Sequence, residues 1–129
     1  MLIRSVRPMT ALLAGFALLA AGPAQAAATT SKGQISVAQV MEMVDLSKTD
    51  PMARNAVIAY LAGVGEASGI VFAQGRQRGS TLQCGKTISL SEDTAVSALT
   101  AAATERANWT ETAATPIIIA DMLARGQCK

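Results

Sequence analysis

Histidine does not occur in this sequence of 129 residues, and its absence excludes several classes of function. Without an imidazole there is no Ser-His-Asp triad, no Cys-His dyad and no histidine-ligated metal site. We therefore expect no catalytic residues, no metal and no cofactor. The sequence favours a protein that binds a partner over an enzyme, and a small envelope enzyme is the least favoured alternative.

Aromatic residues and long apolar runs are also scarce. Aromatics make up 3% of the chain. After residue 26 no run reaches the roughly 18 apolar residues that a membrane span needs. We expect a soluble product whose core depends on close contacts between helices rather than on large rings.

The first 26 residues have the pattern of a secretory signal peptide. Arg4 and Arg7 form a basic head, residues 11–21 are apolar, and residues 24–26 (AQA) fit the cleavage pattern, with cleavage after Ala26. Arg4 and Arg7 belong to the 11 Lys and Arg residues, so nine cations remain against nine carboxylates. The signal pattern predicts an exported, periplasmic protein. The neutral balance predicts that it binds neither nucleic acid nor, after cleavage, a membrane.

The two cysteines, Cys84 and Cys128, are expected to form a disulfide, because export places them in an oxidising compartment. Such a bond would stabilise a single domain of about 100 residues by about 4 kcal/mol in the loop-entropy model. The alternative is a reactive thiol, but the sequence provides no histidine to activate one.

Helix signals recur along the rest of the chain. Residues 27–35 are small and polar and predict a flexible lead-in to a single helical domain over 36–129. Ser36 and Gln39 have capping-box spacing before an apolar stripe. Further helices are predicted over about 51–74, 90–107 and 112–125, the third opened by Ser89 and Glu92 and the last stopped by Gly126. The predicted fold is all-α, a small four-helix bundle closed by the Cys84–Cys128 disulfide.

Three glycines interrupt the second predicted helix: Gly63, Gly65 and Gly69. Each costs up to about 1 kcal/mol relative to alanine. The expected compensation is the close approach of a neighbouring helix, and the alternative is a kink. Their G-x-G-x-x-x-G spacing is one residue too long for a dinucleotide loop, and no strand precedes it.

The candidate binding residues lie in and beyond the long irregular stretch 74–87. Arg76, Arg78 and Lys86 could contact an acidic partner surface, although ordinary solvation of an exposed loop is the simpler explanation. Trp109 is expected to cover the core, and it would be a binding anchor if it were exposed.

Three stretches together resemble the Rap/Tai family of periplasmic immunity proteins. They are residues 50–54 (DPMAR) leading into 60–66 (YLAGVGE), Cys84 followed by 88–92 (ISLSE), and 113–128, which end in Cys128. The resemblance covers about residues 36–128. It implies a protein that protects bacteria against peptidoglycan amidase toxins delivered by type VI secretion.

The resemblance implies stoichiometric inhibition, in which a loop or helix end enters the active-site cleft of the toxin. The loop 76–86 is the expected contact with the toxin. A homodimer of this chain is kept as a further alternative. The alternative is an acid-stress chaperone of the HdeA-like kind, since acid would leave nine unopposed cations and expand the chain.

Overall fold

The computed structural model describes residues 29–129, which form four α-helices and a short 3₁₀ turn. The helices are α1 (Val37–Ser47), α2 (Pro51–Gln77), α3 (Glu92–Ala102) and α4 (Ala114–Arg125), and the 3₁₀ turn spans Arg106–Asn108. The predicted all-α fold is confirmed. The predicted signal peptide lies outside the described residues.

Local capping explains where the first two helices begin. The Ser36 hydroxyl accepts a hydrogen bond of 3.1 Å from the Gln39 backbone N–H. The Asp50 carboxylate accepts one of 2.8 Å from the Met52 N–H, and Pro51 follows it in the first turn. Each cap satisfies a backbone donor that the first turn leaves unpaired.

Helix α3 begins and ends inside its predicted bounds. Its capping box is formed by Ser91 and Thr94 rather than by Ser89 and Glu92, because the Thr94 hydroxyl accepts from the Ser91 N–H at 2.9 Å and the Ser91 hydroxyl accepts from the Thr94 N–H at 3.3 Å. The helix stops at Ala102, where the Ala103 carbonyl turns to accept a hydrogen bond from Trp109.

One core lies between the helices. Helices α1 and α2 pack along each other, and α3 packs mainly on α4. The buried apolar side chains of this core come from all four helices and from the residue that follows α3. They are Val37, Val40, Val44, Val57, Leu61, Val64, Ala95, Leu99, Ala103, Ala114, Ile118 and Met122. The dominance of valine and alanine agrees with a core built from small side chains.

Residues 29–35, expected as part of a flexible lead-in, form a hydrogen-bonded turn. Thr30 is buried and its N–H donates to the Gln34 carbonyl at 2.8 Å. The Ser31 N–H donates to the Glu111 carboxylate at 3.0 Å, and the Ala114 N–H donates to the Ile35 carbonyl at 2.9 Å. These bonds fasten the turn to the connector in front of α4.

The packing predicted for the three helical glycines is wrong. A Cβ atom built on Gly63, Gly65 or Gly69 meets no heavy atom within 4 Å. α2 runs through all three positions without a break. Helix α1 packs on another side of α2, so nothing in residues 29–129 uses the space that these glycines leave.

The disulfide between Cys84 and Cys128 is present, with their Cα atoms 3.9 Å apart. Gln83 precedes Cys84 and Lys129 follows Cys128, and these two neighbours exchange two backbone hydrogen bonds of 2.9 Å. The bond joins the segment after α2 to the end of α4. A disulfide is typical of proteins that fold in an oxidising compartment.

Candidate functional site

Residues 76–86 are called the basic loop below, and they comprise the last two residues of α2 and the segment that follows it. The prediction of an irregular stretch from residue 74 is wrong at its start, because the structure places Arg76 in the last turn of α2. Helix α2 ends at Gln77, and two residues later Gly79 adopts a φ of 88°, a left-handed conformation that favours glycine at a helix end. The Arg78 N–H still donates to the Gln74 carbonyl at 3.1 Å, and the Ser80 N–H returns to the Gly75 carbonyl at 2.9 Å. The chain therefore leaves α2 through a turn that these backbone hydrogen bonds fix.

The far end of the basic loop is fixed to the end of α4. The disulfide holds Cys84, and the Lys86 N–H donates to the Gly126 carbonyl at 3.0 Å. A Cβ on Gly126 would lie 2.8 Å from Ile88 and 2.9 Å from the Cys128 sulfur. Only glycine fits this junction without displacement, so the position that the sequence indicated as a helix stop is also a packing requirement.

Arg76, Arg78 and Lys86 extend from this fixed segment into solvent. All three are exposed, and none of them forms a side-chain hydrogen bond or an ion pair with residues 29–129. By contrast, Lys48 pairs with Asp45 and Arg125 pairs with Asp121, each at 2.7 Å. The loop thus presents three cations whose charge is not neutralised by a neighbour.

Trp109 lies away from the basic loop, in the connector between α3 and α4. Its ring is half-buried against the core, and its indole N–H donates to the Ala103 carbonyl at 2.7 Å. The Arg106 guanidinium lies 5.2 Å from the ring centroid. The structure supports the interpretation of Trp109 as a cover of the core, and contact with a partner stays a prediction.

A shallow apolar groove of about 470 Å³, absent from the sequence predictions, runs between α2 and α4. Its walls include Val71, Phe72 and Ile119, and the Tyr60 hydroxyl is 3.0 Å from that of Thr115. Burial raises the pKa of Tyr60 above its usual value of 10.0. The groove could not be predicted because it depends on where α4 lies beside α2.

Ser68 lies in this groove and continues the buried side of α2. It is 5% exposed, and its hydroxyl has no hydrogen-bond partner. The spacing of Val57, Leu61, Val64 and Ser68 follows one helical stripe, which is the sequence signal that could have indicated its burial. A buried hydroxyl without a partner is costly.

No metal or catalytic constellation is found among residues 29–129. They contain no group of three or more His, Cys, Asp or Glu side chains that could hold a metal ion. The Glu66 carboxylate is exposed, and Ser68 has no base within hydrogen-bonding distance.

Helix α2 is long and apolar enough to cross a membrane, by length and composition only. In its most apolar window only 22% of the residues are buried. This is weak evidence for a span, but it draws attention to an exposed apolar surface on α2.

In comparisons with known proteins, no family model, no curated protein and no solved structure matches this chain. Its fold and surface therefore define its class. It is a small all-α protein, closed by a single disulfide, that presents a fixed basic loop.

Proposed function

We propose that this chain is a periplasmic immunity protein that binds a peptidoglycan amidase toxin and blocks its active site with the basic loop. The observation that carries the proposal is the loop itself: three unpaired cations on a segment held at both ends. The resemblance of residues 36–128 to the Rap/Tai family supplies the class of partner, and type VI secretion supplies the route by which the toxin arrives.

The fixation of the loop favours tight binding. A loop that must become ordered on association loses conformational entropy, and each immobilised side chain costs about 0.5–1.5 kcal/mol. Here the disulfide at Cys84 and the hydrogen bond from Lys86 to Gly126 already hold the backbone. Such a loop can enter a cleft without first having to fold.

Charge makes the interaction selective. The chain that remains after signal cleavage is neutral overall, so the cations of the basic loop are a local feature and not part of a general positive surface. A cluster of this kind is complementary to an acidic cleft, and it raises the rate of association and rejects basic surfaces. We infer that the active-site cleft of the toxin is lined by carboxylates.

The proposed compartment follows from the signal pattern of residues 1–26 and from the disulfide. A peptidoglycan amidase acts in the periplasm, where disulfides form and persist. The inhibitor and its target would therefore meet in the compartment in which the basic loop is held by its covalent anchor.

The proposal can be tested by protection of cells that produce the toxin. A candidate peptidoglycan amidase toxin of type VI secretion is directed to the periplasm, and survival is compared for the natural chain and the Arg76→Glu/Arg78→Glu variant. The matched control is Lys32→Glu/Lys48→Glu, which makes the same change of net charge at exposed positions outside the loop. We expect the natural chain and the control to protect, and the loop variant to lose at least tenfold in survival.

Loss of protection in both variants would assign the effect to net charge, and equal protection by both would exclude the loop as the contact. If the natural chain gives no protection and captures no cell-wall hydrolase from periplasmic extracts, the proposed function is wrong.

A further inference from the structure

The last two turns of α2 begin with three large apolar side chains in succession. Ile70 is 58% exposed, Val71 is 62% exposed and Phe72 is half-buried, and together they are called the apolar end of α2. No charged residue lies between Glu66 and Arg76. Successive residues of a helix point about 100° apart, so these side chains spread over a wide part of its surface. Large apolar side chains grouped in this way on a surface are typical of an interaction site.

The apolar end of α2 adjoins two cations of the basic loop. Phe72 and Arg76 are four residues apart, and Val71 and Arg78 are seven residues apart, which are the spacings of neighbours along one side of a helix. Arg78 keeps this register, because its N–H still donates to the Gln74 carbonyl at 3.1 Å. The two features therefore form one continuous surface, in which the apolar side chains are bordered by the cations.

This surface also contains part of the groove between α2 and α4. Val71 and Phe72 are the last residues of α2 that line the groove, and Ile119 lines it from α4. Its volume of about 470 Å³ is within the range of about 300–1,000 Å³ found for ligand pockets, so it has room for a large apolar side chain. Because the groove is shallow, it can receive a side chain that another protein presents.

The basic loop alone is too small to form a stable inhibitory complex. A standard interface buries about 800 Å² on each partner and involves about 20–30 residues a side. The loop, residues 76–86, has fewer residues than that and is mostly polar. Stable interfaces also have an apolar centre within a polar rim. A partner seated on the loop must therefore cover adjoining surface as well, and the apolar end of α2 supplies the apolar centre that the loop lacks.

We propose that the apolar end of α2 is the centre of the toxin interface and that the groove beside it receives an apolar side chain of the amidase. This inference rests on the proposed function. The partner that fits has carboxylates that face Arg76 and Arg78 and, next to them, a large aliphatic or aromatic side chain. An uncharged apolar surface fits less well, because the two cations would lose water there without gaining a carboxylate.

The two parts of this surface should act on different rate constants of binding. Charges at the rim of an interface raise the association rate constant, and this effect weakens with salt. Apolar contacts at the centre act mainly on the dissociation rate constant. Loss of the apolar end should therefore speed dissociation and leave the association rate constant and its salt dependence unchanged. Arg76→Glu/Arg78→Glu should instead lower the association rate constant.

The test measures binding of the oxidised chain, by surface plasmon resonance, to the amidase that the protection assay identifies. The variant is Ile70→Ser/Val71→Ser. The matched control is Leu46→Ser/Ile58→Ser, which removes two large apolar side chains that are 49% and 59% exposed and lie toward the other end of α2. Ile58 precedes Ile70 by about 18 Å along the helix. Circular dichroism and urea unfolding verify that both variants are folded.

We expect Ile70→Ser/Val71→Ser to dissociate at least tenfold faster than the natural chain, as loss of a central apolar contact does. The control should bind like the natural chain. Ile70→Leu/Val71→Leu keeps the surface apolar, and its dissociation rate should lie close to that of the natural chain.

Equal dissociation rates of the two serine variants would overturn the inference. If Arg76→Glu/Arg78→Glu loses binding and Ile70→Ser/Val71→Ser keeps it, the basic loop stands as the contact and the apolar end of α2 is excluded. If the natural chain binds no amidase, the proposed function and this inference are both wrong. If Ile70→Ser/Val71→Ser keeps amidase binding but abolishes binding to phosphatidylglycerol vesicles, or self-association in analytical ultracentrifugation, the apolar end belongs to a membrane contact or to a second copy instead.

Discussion

At the scale of single residues, Gly126 has no side chain, and this lets the end of α4 pack closely against Ile88 and the disulfide. Replacing it with alanine puts a Cβ 2.8 Å from Ile88, 2.9 Å from the disulfide sulfur of Cys128 and 3.2 Å from the Met122 carbonyl. We expect Gly126→Ala to lower the free energy of unfolding by about 1–3 kcal/mol, as overpacking does. The change in the free energy of unfolding is measured by urea unfolding of the natural chain and the variant.

Gly65→Ala is the matched control, since the same change at an open helical position should raise the free energy of unfolding instead of lowering it. Nothing lies within 4 Å of a Cβ there, so alanine should stabilise the helix by up to about 1 kcal/mol. If both variants changed stability in the same direction, the crowding at Gly126 would not be what separates them.

A second prediction at this scale concerns acid. The Ser31 N–H donates to the Glu111 carboxylate at 3.0 Å and lowers the pKa of Glu111 below its usual 4.5. The Lys48 ammonium lowers the pKa of Asp45 in the same way. A pKa depressed by folding adds stability above the pKa of the unfolded chain, and that stability is lost as the pH falls through the folded value.

We therefore expect the midpoint of urea unfolding to decrease between pH 5 and pH 3. Glu111→Gln should make this decrease shallower, and Glu42→Gln should not, because the exposed Glu42 carboxylate has no partner in residues 29–129. A pH dependence that Glu111→Gln leaves unchanged would contradict the role of the Ser31 bond.

At the scale of the elements, the capping box of α3 gives a direct comparison between two candidate serines. Ser91 rather than Ser89 caps the helix, through its bond with the Thr94 N–H. Ser91→Ala should cost about 1 kcal/mol in the free energy of unfolding. Ser89→Ala should change little, because only the Ser89 backbone carbonyl is used, by Arg125 at 2.8 Å. Thermal or urea unfolding of both variants measures the two losses of stability. Equal losses would contradict the assignment of Ser91 as the cap.

The elements that sequence reasoning predicts well are those with local causes. The caps at Ser36 and Asp50 and the stripe of valines in α1 act over a few residues, so the starts of α1 and α2 follow from them. The disulfide also follows, since the chain contains only two cysteines. The all-α class was predictable because no segment alternates like a strand.

The errors have tertiary causes. α3 is shorter than its pattern because the Ala103 carbonyl turns to accept from the Trp109 indole. α2 continues to Gln77, three residues beyond its predicted end. The glycines of α2 were expected beside another helix, but α1 packs on a different side. The loop cations were identifiable from sequence, whereas their freedom from ion pairs and the groove beside α4 depend on the assembled structure.

At the scale of the whole molecule, the disulfide closes the fold and fixes the basic loop. Removing it in Cys84→Ala/Cys128→Ala should lower the free energy of unfolding by about 4 kcal/mol in the loop-entropy model. Small domains have totals of about 5–15 kcal/mol, so the loss is large. A loss below about 1 kcal/mol in urea unfolding would show that the hydrogen bonds around Cys84 suffice.

We propose that the whole molecule inhibits a peptidoglycan amidase by forming a complex with it. This function is measured by titrating the amidase that the protection assay identifies, following peptide release from purified peptidoglycan as the oxidised chain is added. We expect amidase activity to decrease linearly to complete inhibition at one chain per enzyme, and the Arg76→Glu/Arg78→Glu variant to be ineffective at that ratio. Full amidase activity in a large excess of the natural chain would contradict it.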